Sequence, residues 1–161
     1  MHLAARGIVY VAAGILGSLL SWQAAAQGTP GLGTSDHEVS GVEVTLLSLK
    51  RTSGDTVTAK WRYVNKDSDT KQLSKATGWT DPWKLSMDSY LIDPVNKKKY
   101  LILKDSQGKP IAAKHGSGAI KLGPGKSMNT WAKYPAPPAN VDKVSVYIPG
   151  VAPFEDVALS K

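Results

Sequence analysis

Histidines, carboxylates and hydroxyls are the side chains best able to do chemistry, and in this chain they are thinly spread. Of three histidines, His2 lies in the N-terminal leader, His37 sits between Asp36 and Glu38 in "DHE", and His115 stands two residues before Ser117 in "KHGSG". A metal site needs three or four ligands converging from separate elements. The sequence offers no second cluster to join "DHE", so it reads as solvated charge, and neither a metal nor a cofactor is expected. A nucleophilic Ser117 would need a strained elbow, an oxyanion hole and a triad assembled in space. "HGSGA" lacks the G-x-S-x-G frame and reads as a glycine-rich loop. Glycoside hydrolysis by paired carboxylates needs a buried acid, whereas Asp55, Asp67, Asp69 and Asp105 sit in turn contexts. There is no cysteine, which excludes thiol nucleophiles and thiolate metal sites. No catalytic residue is expected, and the chain does not read as an enzyme.

Binding is better represented. In "TGWTDPWKLS", Trp79 and Trp83 bracket a Thr-Asp-Pro turn. The pair forms either an exposed aromatic ledge for a glycan or peptide, or a plug at the end of a β-fold. Lys97, Lys98 and Lys99 follow one another at the tip of an expected hairpin. There they would be solvated or would hold an anionic polymer. These five residues are the candidate ligand-binding set.

The N-terminus sets the compartment. Arg6 precedes an uncharged stretch whose apolar heart is "IVYVAAGILGSLLSW", and "AAAQ" supplies the small residues of a cleavage site. A short positive region, an apolar core of about 15 residues and an A-x-A site make a secretory signal peptide over 1–26. A spanning helix would want roughly 20 apolar residues, so no stable membrane insertion is expected after cleavage. The protein is expected in the periplasm or outside the cell, and a cysteine-free exported chain fits a bacterial source. Formal net charge is +7, and Arg51 and Arg62 are the only arginines beyond the leader. Scattered lysines attract anionic envelope polymers loosely. Nucleic-acid recognition brings clustered arginines or aromatic platforms, and no nucleic-acid partner is expected.

Strands must position whatever site exists. Residues 27–38, with "GTPGLGTS" over Gly28 to Ser35, read as a flexible lead-in. From Val39 the apolar period is two: Val42, Val44 and Leu46 alternate with polar residues, and the phase then slips to Leu47 and Leu49, which predicts a bulge. In "TVTAKWRYV", Val57, Ala59, Trp61 and Tyr63 take one face, with Trp61 a core anchor. "NKDSDTKQ" reads as a loop. "YLIDPVNKKKYLIL" predicts a hairpin, and "IAAK" a short edge strand. "SMNTWAKY" sets Met128, Thr130, Ala132 and Tyr134 against Asn129, Trp131 and Lys133. "KVSVYIPG" aligns Val144, Val146 and Ile148, and "PFEDVALSK" adds Phe154, Val157 and Leu159. Between two of these strands, "YPAPPANVD" reads as a stiff connection within one domain. The sum is about seven to nine short strands in one domain over 39–161, with no window for an amphipathic helix, which is the pattern of a β-sandwich.

Four stretches, "WRYVNKDSDTK", "YLIDPVNKKKYLIL", "LGPGKS" and "YPAPPANVDKVSVYIPGVAPFEDVAL", resemble a family of small exported bacterial domains. These are immunoglobulin-like, of undefined function, and related in plan to the mycobacterial immunoprotective extracellular protein. Similar domains also precede OmpA-like peptidoglycan-binding domains. The resemblance covers most of 39–159 and implies a single immunoglobulin-like antiparallel β-sandwich. Its motifs are structural: Gly123-Pro124-Gly125 predicts a type II turn and "IPGVAP" a strand end with a reversal. It transfers no active site. The expectation for function is an exported, non-enzymatic binding or accessory module of the cell envelope, whose partner is an envelope protein or an anionic envelope polymer. The alternative is a secreted inhibitor or immunity-type protein acting on a hydrolase.

Overall fold

The structure, a computed structural model, describes residues 31–74, 82–116 and 118–161. The expected leader, Trp79 and Ser117 therefore lie outside the described residues. Among those described, ten strands and no helix are found: β1 (Gly33–Asp36), β2 (Val42–Thr52), β3 (Thr56–Asn65), β4 (Lys71–Ser74), β5 (Tyr90–Asp93), β6 (Lys98–Leu101), β7 (Ile120–Leu122), β8 (Ser127–Pro135), β9 (Lys143–Tyr147) and β10 (Phe154–Ala158). They form one four-stranded sheet in the order β1-β2-β3-β8, a second in the order β10-β9-β5-β6, and a small β4-β7 pair. All strand pairs are antiparallel.

Period-two alternation turns one face of each sheet inward. Val42, Val44, Leu46, Val57, Ala59, Trp61, Tyr63, Ala132 and Tyr134 from the first sheet share one buried cluster with Leu91, Tyr100, Val144, Val146, Phe154 and Val157 from the second. Trp61, Tyr63 and Tyr134 are the largest fully buried side chains. Two buried hydroxyls find partners at the margin of this core. Tyr134 shares a hydrogen bond of 2.6 Å with Ser89, and Tyr63 donates to the Leu85 carbonyl at 3.3 Å. The predicted bulge is present, with the register slipping between Leu46 and Ser48. Leu49 re-enters the core while Leu47, the extra residue, is left half-buried.

Two stretches differ from the sequence reading. Residues 33–36, within the expected lead-in, form β1 along β2, because Thr34 and Thr45 hydroxyls meet at 2.9 Å and the β2 edge supplies a ladder. Lys71 and Gln72, within the expected loop, begin β4. Asn65 makes this possible: buried in β3, it donates to Asp69 and Leu122 carbonyls at 2.7 and 2.9 Å and accepts from Asp67 N–H at 2.9 Å. Those bonds fold the chain back so that β4 meets β7.

Both predicted turns are found. Lys126 N–H donates to Gly123 C=O with Gly125 at φ 63°, and Val151 N–H donates to Ile148 C=O with Gly150 at φ 73°. Glycine takes that left-handed conformation without steric cost. The proline stretch joins β8 of the first sheet to β9 of the second. Arg51 holds it from within, donating to the Pro137, Pro138 and Val141 carbonyls at 2.8, 2.9 and 2.8 Å. Proline-rich backbone has few N–H donors and many free carbonyls, and one guanidinium satisfies three of them.

Candidate functional site

Of the five residues singled out by sequence, Trp79 lies outside the described residues, and the other four are placed as follows. Lys97, Lys98 and Lys99 are exposed at the β5–β6 hairpin, where Asp93 ties the turn by accepting from the Val95 and Asn96 N–H groups and the Asn96 amide. Burial acts to raise the Asp93 carboxyl, and these hydrogen bonds outweigh it and hold it below the usual range. Lys98 lies 5.3 Å from the Tyr100 ring, and Lys99 only 3.6 Å from the Tyr90 ring, itself stacked on Tyr147 at 4.5 Å. Two of the three ammonium groups are thus engaged by tyrosines of the same sheet. Trp83 is half-buried against the core, with the Lys114 ammonium 5.4 Å from its ring. The lysines divide: Lys98 borders Asp55 and the proline stretch, whereas Lys99 shares a depression with Met87, whose N–H donates to the Trp83 carbonyl.

His115 comes closest to an assembled catalytic group. Its Nε2 lies 2.9 Å from the Thr130 hydroxyl. The ring is pushed below its ordinary pKa by burial and by the Lys84 ammonium. A cation, rather than the carboxylate a triad would need, therefore faces this pair. His37 is also occupied: Nδ1 accepts from Val39 N–H at 2.9 Å and the ring packs edge-on to Tyr63. Burial lowers its pKa, partly offset by Glu38. No group of three potential metal ligands occurs among the described residues.

A different constellation lies on the outer face of the first sheet. Every second residue of its three long strands points away from the core, and register brings these residues side by side. Lys60 stands between Ser48 and Trp131, Thr58 between Lys50 and Lys133, and Arg62 between Thr45 and Asn129. Beyond β8, Ala113 N–H donates to Trp131 C=O and Lys133 N–H to Ile111 C=O, which extends the surface past the indole. The bulge at Leu47 deepens the twist locally. Leu47, Ser48, Lys50, Thr52, Thr58, Lys60 and Arg62 line a half-open depression of about 580 Å³.

The electrostatics of this face are one-sided. Glu43 is the only acid in β2, β3 and β8, and Lys66 neutralises it at 3.2 Å. Lys50, Lys60, Arg62 and Lys133 have no ion pair among the described residues. Two residues along a strand span about 6.6 Å and neighbouring strands lie about 4.8 Å apart. Like charges at ~7 Å repel by about 0.6 kcal/mol per pair even in bulk water, and a bound anion would relieve this. Arg62 is oriented by donating Nε to the Asn129 amide oxygen at 2.8 Å. The Thr52, Thr56 and Thr58 hydroxyls are linked at 2.7 and 3.2 Å.

Trp131 is 37% exposed. Among the described residues, the Tyr90, Tyr100 and Trp83 rings each carry a lysine ammonium, and Trp131 carries none. The sequence reading missed this face because each strand alone shows only ordinary polar alternation. One signal was present: Trp131 falls in the outward phase of β8 with Asn129 and Lys133, so its parity alone places an indole in water. Neither a protein-family model, nor a curated protein, nor a solved structure matches the chain.

Proposed function

We propose that this protein is an exported, non-enzymatic binding or accessory module of the bacterial cell envelope, built as an immunoglobulin-like sandwich. Its ligand is held on the outer face of the first sheet. The observation that carries this reading is the set of Lys50, Lys60, Arg62 and Lys133, none of them ion-paired among the described residues, around an open Trp131. Four cations left without counterions are a standing cost to the fold, which a binding role accounts for. Proteins with such fields attract anionic polymers with a strong dependence on salt. Two facing antiparallel sheets joined by the proline connection support the sandwich plan, and the leader over 1–26 supports export. The lysine tip at 97–99 and the Trp79–Trp83 region are secondary candidates for contact.

The test is co-sedimentation of the purified protein with cell-envelope material, beside the variant Lys60→Glu/Arg62→Glu. Binding should weaken steeply between about 50 and 200 mM salt and drop at least tenfold in the variant. Equal binding by both proteins at every salt concentration would refute the assignment to this face.

One observation favours the inhibitor reading as a second reading. Arg51 ties down the connection over 135–142, whose exposed residues 138–140 would be the constrained contact loop of an inhibitor. That reading requires a stable complex in cross-linked envelope extract that Arg51→Ala disrupts and Lys60→Glu does not.

A further inference from the structure

We infer that the outer face of the first sheet binds a linear acidic polysaccharide, with one sugar ring stacked on Trp131 and the acid groups of that ring and its neighbours held by Lys60, Arg62, Lys50 and Lys133. This rests on the binding reading above and names the ligand class for the same site.

Backbone pairing excludes one major mode of recognition here. β3 is paired on both sides, by β2 and β8. β2 is flanked by β1 and β3 and, past the bulge, by Ser160, which bonds Leu49 and Arg51 backbone groups. No strand edge is open at the depression, so a peptide cannot add to the sheet there. The ligand must be read by side chains, and the side chains present are of three kinds. A flat indole lacks any covering ammonium. Hydroxyls of Ser48, Thr52 and Thr58 line the floor. Lys50, Lys60, Arg62 and Lys133 flank both.

A pyranose carrying a carboxylate presents the matching three. Its axial C–H face packs on an indole, its hydroxyls exchange hydrogen bonds with serine and threonine, and its carboxylate accepts from lysine or, in bidentate fashion, from arginine. Arg62 is prepared for this last role, because its Nε is committed to Asn129 and its terminal nitrogens have no partner among the described residues. The cations also extend in two directions from Lys60, to Arg62 two residues along β3 and diagonally to Lys50 and Lys133 on the flanking strands. That layout suits a chain of acidic residues better than one isolated anion.

Single-stranded nucleic acid fits less well. Its binding sites stack successive bases on several aromatic rings, and among the described residues the strands of this face carry one outward aromatic ring amid hydroxyl rows. A smooth polyanion such as polyphosphate would need the cations but would gain nothing from Trp131.

The experiment measures binding of the purified protein to oligogalacturonate, a neutral glucan, polyphosphate and oligo(dT), by titration calorimetry and by tryptophan fluorescence. Variants are Trp131→Ala, Trp131→Tyr and Lys60→Gln/Arg62→Gln. Far-UV circular dichroism and thermal melts confirm that each is folded, and Trp131→Tyr retains a stacking ring should the alanine variant prove unstable. The expected result is binding of oligogalacturonate, roughly tenfold weaker in Trp131→Ala, largely kept in Trp131→Tyr, and at least fivefold weaker with a shallower salt slope in the double variant. Equal affinity for the neutral glucan would overturn the inference, because the cations would then be irrelevant. Tighter binding of oligo(dT), or of polyphosphate with no response to Trp131→Ala, would overturn it while leaving the binding-module reading standing. Failure to bind any of the four would overturn both.

Discussion

Arg51→Ala should loosen the connection between the two sheets, and the cost can be worked from its bonds. The side chain donates to three carbonyls, of Pro137, Pro138 and Val141, all at 2.8–2.9 Å. Hydrogen bonds to a charged group contribute about 1.5–3 kcal/mol each when the partner would otherwise be stranded. Here the loop is partly open to water: Pro137 and Val141 are buried, whereas Pro138, Ala139 and Asn140 are exposed. Water can replace part of what is lost, so the discounted total is about 2–3 kcal/mol. For a domain of this size that corresponds to a fall in Tm of roughly 8–12 °C. Arg51→Lys keeps the charge but not the three-way fork, and should lose about 1–2 kcal/mol. The neighbouring Lys50→Ala, exposed and without such bonds, serves as the control at under about 0.5 kcal/mol. Urea unfolding followed by circular dichroism gives all three values. If Arg51→Ala unfolds within 0.5 kcal/mol of the parent, or no more readily than Lys50→Ala, the guanidinium clasp does not hold the sheets and the reasoning fails.

Two further outcomes follow from the same physics. Burial pushes the Tyr63 phenol up to about 12 and Tyr134 higher still. Both groups are raised in the folded state, so their contribution to stability is complete below the ordinary pKa of 10 and is lost as pH climbs from about 10 towards 12. Absorbance at 295 nm should show these two tyrosines ionising late and together with loss of the native circular dichroism; ionisation of every tyrosine near pH 10 in a still-native protein would contradict it. Gly150→Ala should cost about 1–3 kcal/mol, because φ is 73° there and an added Cβ would stand 2.7 Å from His37 Nε2. A melting temperature unchanged in that variant would show that the turn and the histidine ring give way freely.

Much of the fold was legible because side-chain parity is a local property. Val57, Ala59, Trp61 and Tyr63 had to share a face once their segment was a strand, and all four are buried. The slip at Leu47, the two glycine turns and the role of the proline stretch between strands were readable for the same reason. β1 and β4 were not readable, because neither has an apolar rhythm of its own. β1 depends on the β2 edge, and β4 depends on the Asn65 side chain, which donates two hydrogen bonds and accepts a third.

The candidate site divides along the same line. Sequence by itself determined that Lys60, Arg62, Trp131 and Lys133 face outward, that no cysteine is available, and that the acids cluster in turns. It drew attention to Trp79, Trp83 and the lysine triplet, since adjacency in sequence is the only kind of proximity it displays. Tertiary structure alone decided that Lys60 lies beside Trp131, some 70 residues away, and that Lys50 and Lys133 flank Thr58. The physical reason is that parity is set within a strand, whereas register is set between strands by the core each must fill. A surface charge says nothing in sequence about which strand will be its neighbour.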